Sequence, residues 1–195
     1  MIRRENSSSR RAPTRTPRPR ILIVCGAQRT EPDYFTALKG NFRNPAVIVK
    51  IIAKPKDPDA VVGYASQIWK ESPGDYDEVW CVLDVDHFCF DRAIPAARER
   101  KIDLAISNPC FELWLLLHCA QIAAPIPNAQ DALFRLCKLV PGYDKSSLSF
   151  PDFSSGVRNA IERAKKLDPG SDGWSGNPST GVWRLVERIL PQCVE

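Results

Sequence analysis

Two aspartates one residue apart, Asp84 and Asp86, follow the apolar run Val79-Trp80-Cys81-Val82-Leu83. Side chains of an extended segment alternate with period two, so both carboxylates would leave the strand on one side. Two anions held together raise each other's pKa unless a cation lies between them. Mg²⁺ (or Mn²⁺) suits such a pair, as a hard ion that takes carboxylates and waters and leaves room for phosphate oxygens. Such an ion would steer a phosphodiester or stabilise a leaving oxygen. In the plainer alternative, Asp86 caps the following turn and Asp84 is a solvated strand end. His87, next in the chain, titrates near neutral pH and is a candidate acid or base beside the pair.

Further polar groups sit in patterns that ask for a role. Glu112 lies in the apolar stretch Phe111-Glu112-Leu113-Trp114-Leu115-Leu116-Leu117-His118. A buried carboxylate needs a partner, so Glu112 is expected in a structural pairing, with Arg29, a backbone donor or the acidic site as alternatives. His118 reads as a satisfied core histidine. Asn108 and Asn177 each precede a proline, the pattern of a helix cap followed by proline at the first helical position.

These residues need elements to position them. Ile21–Cys25 is a continuous β-favouring apolar run, as expected for a parallel strand covered on both faces. A polar loop, 26–29, follows, and Thr30 with Asp33 three residues on predicts an N-cap. The helix behind it would turn Tyr34, Phe35 and Leu38 inward. Val47–Ala53 reads as a strand, Pro58–Glu71 as a helix, Val79–Leu83 as a strand, Ala93–Arg100 as a helix and Leu104–Ile106 as a brief strand. The helix opened by Asn108-Pro109 is apolar nearly all round and so buried. Val157, Ala160, Ile161 and Ala164 form an apolar stripe, opposite basic Arg158, Arg163, Lys165 and Lys166. Residues 168–176 form a loop, and Val182, Leu185, Val186 and Ile189 line a last helix. Strands alternating with helices early, then helices alone, predict an α/β sandwich with a mostly parallel sheet and a helical C-terminal part. Ligands of such sheets bind beyond the carboxyl ends of the strands. The 26–31 loop and the aspartate pair both fall there.

The 195 residues fit one domain with a tail. Residues 1–20 carry seven arginines and one glutamate, a net +6, which leaves −2 for residues 21–195. Almost nothing in that tail is apolar, so it is expected to be disordered. It is either a solvated tail or an arm that neutralises nucleic-acid phosphates. No apolar run approaches the ~20 residues of a membrane span, and no signal-peptide stretch precedes residue 21, so a cytoplasmic location is expected. The seven cysteines are odd in number, contain no C-x-x-C pair and sit partly in apolar runs, so they read as reduced core residues. The local ligand spacing of structural zinc is absent. Neither phosphate-loop glycine pattern occurs in 26–30, which weakens a generic nucleotide-binding reading.

The motifs, in order from about 21 to 190, resemble the RloB-like family. They are Ile21–Cys25 with Thr30-Glu31-Pro32-Asp33-Tyr34-Phe35, the Tyr76–Asp86 block, Ser107-Asn108-Pro109-Cys110-Phe111-Glu112-Leu113-Trp114 through His118, and Asn177-Pro178-Ser179-Thr180 with Val182. The resemblance implies a Toprim-like, Rossmannoid core over 21–195. It implies a role in prokaryotic defence against phage, often beside an ATPase of the RloA kind. Toprim enzymes hold Mg²⁺ for phosphodiester chemistry with a glutamate after the first strand and a D-x-D after a later one. Asp84 and Asp86 match the second element and Glu31 a further acid of the first motif, which makes these three the implied metal-binding and catalytic set. Arg29 matches a basic position and is implied to contact phosphate. The expected activity is Mg²⁺-dependent cleavage of DNA or RNA. One position departs: Gly26 stands where the family's glutamate is expected. Glycine offers neither ligand nor base, so a degenerate module that binds nucleic acid or a protein partner is the competing reading. A homo-oligomer stays open.

Overall fold

The structure, a computed structural model, describes residues 19–51, 57–85, 88–167 and 176–190. The tail through residue 18, Ala53 at the end of the second predicted strand, Asp86, His87 and most of the 168–176 loop lie outside the described residues. The elements run β1 (Ile21–Cys25), α1 (Thr30–Asn41), β2 (Val47–Ile51), α2 (Pro58–Glu71), β3 (Glu78–Asp84), α3 (Ala93–Glu99) and β4 (Asp103–Asn108). They continue with α4 (Glu112–Cys119), α5 (Ala129–Leu139), α6 (Pro151–Ser154), α7 (Val157–Leu167), β5 (Ser179–Thr180) and α8 (Val182–Ile189). The sheet has the order β2-β1-β3-β4-β5. The first four strands pair in parallel and β5 joins β4 antiparallel. The molecule is the α/β sandwich expected, with a mostly parallel sheet.

The period-two alternation of the strands sorts the core into two layers. Ile21, Ile23, Cys25, Trp80 and Val82 face the side built by α1, α4, α5, α7 and α8. Leu22, Val24, Cys81 and Leu83 face α2 and α3. Covering on both faces explains why β1 is apolar without a break, and all five of its residues are buried. Helix α4 is the centre of the first layer, with Leu113 to Leu117 fully buried. Each such leucine contributes about 1.5–3 kcal/mol by leaving water. Tyr34 of α1 joins it through edge-on ring contacts to Phe111, Trp114 and His118.

Four local expectations are corrected. Thr30 is not a side-chain cap: it lies inside α1, and its hydroxyl donates to the Lys145 carbonyl at 3.1 Å. Asn108 does not cap α4, because β4 runs on to residue 108, where Asn108 pairs with Ser179, and the helix starts only at Glu112. Asn177 does not cap α8 either. Its amide bonds both backbone groups of Ile126, accepting from N–H at 2.9 Å and donating to the carbonyl at 2.8 Å. Arg163 is not simply on the solvated basic face, for it donates to the carbonyls of Leu117 and His118 and so closes the C-terminal end of α4. Of the cysteines described, Cys25, Cys81 and Cys110 are core residues as expected, whereas Cys89, Cys119 and Cys137 are exposed. Among the described residues no helix is long and apolar enough to cross a membrane.

Candidate functional site

The chain leaves β1 toward β2 on one side, while β3 lies on the other. That reversal opens a crevice at the carboxyl ends of β1 and β3, the usual ligand position in open parallel sheets. Gly26 begins the loop after β1 and extends the ladder, its N–H donating to the Val82 carbonyl at 2.9 Å. A side chain there would crowd the backbone, since a Cβ at Gly26 would lie 3.3 Å from the Val82 oxygen. The following turn brings Ala27 N–H to Glu31 Oε2 at 2.8 Å, which folds the loop back on the first turn of α1.

A cavity of about 120 Å³ occupies this crevice. The β1–α1 loop supplies Gly26, Ala27 and Glu31; the end of β3 supplies Leu83, Asp84 and Phe88; the start of α2 supplies Asp57, Pro58 and Val61. Glu31 and Asp84, expected together, are brought together. Glu31 is 1 % exposed. Burial pushes its pKa up to about 8, against the Ala27 hydrogen bond; the Glu112 charge adds to the rise and Lys145 opposes it. Asp84 ends β3 opposite Ser107 of β4. Asp57 caps α2 by accepting from Ala60 N–H at 2.8 Å, which fixes the wall facing the acids.

Glu112 opens α4, is 1 % exposed, and holds Lys145 Nζ at 2.7 Å from Oε1. Its charge partner is thus Lys145 and not Arg29, which binds the Ser146 carbonyl. Burial pulls the Lys145 pKa down, but the charge and hydrogen bond of Glu112 outweigh it and raise it above the ordinary lysine value. The segment carrying Lys145 is strapped over the start of α1. Arg29 Nη1 donates to the Ser146 carbonyl at 3.0 Å, beside the Thr30 bond to Lys145. Asp144 holds the Ser146 N–H at 2.8 Å. Arg29 thus lies near the acids but binds a backbone carbonyl, and Asn108 and Asn177 lie in the sheet extension and a loop tie rather than in the cavity wall. His118 is a satisfied core histidine: Nδ1–H donates to the Trp114 carbonyl at 2.9 Å, and Nε2 accepts from the Tyr34 hydroxyl at 3.1 Å. Burial lowers its pKa to about 4.

Sequence reasoning did not find Lys145, Asp57 or Phe88 as site residues. Asp57 carries a readable signal, aspartate before the proline that opens a helix. Phe88 carries a weaker one, a large aromatic just past the acids. Lys145 carries none, because its relation to Glu112 joins the start of α4 to a loop far along the chain that has no periodicity.

Among the described residues no three His, Cys, Asp or Glu side chains are grouped closely enough to hold a metal. Three carboxylates line the cavity; Asp57 is engaged in capping α2, and the other two, Glu31 and Asp84, are hard oxygen donors in the number that Mg²⁺ commonly takes from protein, with waters and substrate oxygens completing its shell. A buried carboxyl held at raised pKa is also one that a cation would return to its charged form. Glu31 and Asp84 therefore fit the ion.

Fold and cavity define the class: an α/β sandwich with a mostly parallel sheet and an acidic crevice where its strand order reverses. Within that class the chain belongs to the RloB-like family, whose model, described as RloB-like protein, matches residues 21–189. No curated protein and no solved structure matches the chain.

Proposed function

We propose that the chain is a Mg²⁺-dependent phosphodiesterase of Toprim type, cleaving DNA or RNA in prokaryotic defence against phage beside an RloA-type ATPase. The observation that carries the chemistry is the meeting of Glu31 and Asp84 in one cavity at the carboxyl ends of β1 and β3. Defence and the ATPase partner rest on family resemblance. Glu31 and Asp84 would hold the ion, with Asp86 following in the sequence. The ion would neutralise charge on a phosphodiester. The protein's own part is to keep Glu31 buried and aimed by the Ala27 N–H, and to place the Lys145 cation behind Glu112 so that a second carboxylate does not repel the substrate.

The test is cleavage of single- and double-stranded DNA and RNA with Mg²⁺ or Mn²⁺. Asp84→Ala and Glu31→Gln should each lower the rate by on the order of 10²-fold or more, as loss of an electrostatic stabiliser does. Undiminished cleavage by both variants would remove the assigned site. A second reading, a module that binds without cleaving, is favoured by Gly26: the backbone is closed against Val82 there, and the family's glutamate would enter only with displacement. Full-affinity binding with no cleavage under either ion would select it.

A further inference from the structure

One wall of the acidic cavity is not needed for holding an ion. Phe88 lines that wall and is 44 % exposed. Its placement is enforced from both sides. Its N–H donates to the Val85 carbonyl at 2.8 Å, which ties it to the strand end that bears Asp84. Two residues on, Phe90 is 3 % exposed and packs into the core beneath α2 and α3. The segment anchors through one phenylalanine and presents the other. Pro58 and Val61 line the same cavity. Next to Pro58, Asp59 binds the guanidinium of Arg92, whose side chain is 87 % exposed. The cavity thus combines a half-exposed aromatic ring, aliphatic side chains and, beside it, an arginine paired with Asp59.

Glu31 is 1 % exposed and Asp84 half-buried, so the pair lies at the floor of the cavity and not on the open surface. A phosphodiester that reaches them brings its own nucleotide into the mouth, beside the Phe88 ring. Inside a duplex the faces of a base are already covered by its neighbours in the stack; in a single strand they are available, and every base has a π-face to lay on an aromatic ring. We infer that Phe88 is a base-stacking residue and that the cavity takes single-stranded, not duplex, nucleic acid. The inference rests on the phosphodiesterase reading and names its substrate class.

The experiment is a fluorescence-anisotropy titration of the full chain, in Ca²⁺ buffer, with labelled oligo-dT, oligo-rU and a duplex of equal length. Both single strands should bind more tightly than the duplex. Phe88→Ala should weaken them by on the order of 5- to 150-fold, the usual range for one stacked base. Phe88→Trp should keep the affinity, and its added indole emission should be quenched on binding, which a merely structural residue would not show. Unchanged affinity of the alanine variant, equal or tighter duplex binding, or no binding of any strand would each overturn the inference. Phe88-dependent binding without Mg²⁺-dependent cleavage would sink the phosphodiesterase reading alone. Asp84-dependent cleavage indifferent to Phe88 would sink the stacking wall alone.

Discussion

Glu31 stands at the N-terminal turn of a helix, where the dipole favours a negative charge, yet burial wins and holds its pKa at about 8. The sign of the consequence follows from proton counts. Between an unfolded value near 4.5 and a folded value near 8, the native chain holds a proton that the unfolded chain has lost. Stability from this group is complete below about 4.5 and falls as pH rises toward 8. His118 acts oppositely, since its folded value of about 4 lies under the unfolded 6.5, so its contribution grows as pH rises from 4 to 6.5. The two overlap in acid but separate above 6.5. Urea unfolding between pH 6.5 and 8 should therefore show wild-type stability falling with pH and a flatter profile for Glu31→Gln. Equal slopes would mean that Glu31 is not held protonated. Mg²⁺ should reduce the wild-type slope if the cavity holds the ion, because the cation supplies the charge compensation that burial withholds.

At the scale of elements, the legible parts were those governed by periodicity. The continuous apolar run of β1 and the stripe Val157, Ala160, Ile161, Ala164 of α7 each describe a face that must be covered, and each is buried. Cap patterns failed at Asn108 and Asn177 because their grammar is local while the bonds these residues make are not. Asn177 is tied to Ile126, fifty-one positions away. The Glu31–Asp84 meeting was legible because strand ends in a parallel sheet share an edge; the Lys145–Glu112 pair was not. Two glycines test the packing of elements directly. A Cβ at Gly156 would meet the His118 carbonyl oxygen at 2.5 Å, where α7 approaches the end of α4. Gly156→Ala should push these elements apart, strain the Arg163 bonds to the α4 carbonyls, and cost about 1–3 kcal/mol. Gly63, in α2, has nothing within 4 Å of its Cβ position. Gly63→Ala should instead stabilise by about 0.4–1 kcal/mol, through helix propensity and a less free unfolded chain. Denaturant midpoints of the two variants should move in opposite directions.

At the scale of the whole molecule, charge and site point different ways. Residues 21–195 are net −2, and the cavity itself is acidic, so long-range attraction for a polyanion has to come from elsewhere. The sequence places it in residues 1–18, which hold six arginines and one glutamate; removing them takes the net charge from +4 to −1. Arginines on phosphates release counterions, and for single strands each such contact adds about 0.7 to the slope of log affinity against log salt. Deleting residues 1–18 should therefore lower single-strand affinity at low salt and reduce that slope by up to about 4. Phe88→Ala should displace the whole line downward without changing its slope, because stacking releases no counterion. Binding measured over a range of salt concentrations on the wild type, the deletion and the alanine variant separates an arm that captures the strand from a wall that seats it. An unchanged slope in the deletion would return residues 1–18 to a solvated tail and require the acidic body to attract its substrate through the ion alone.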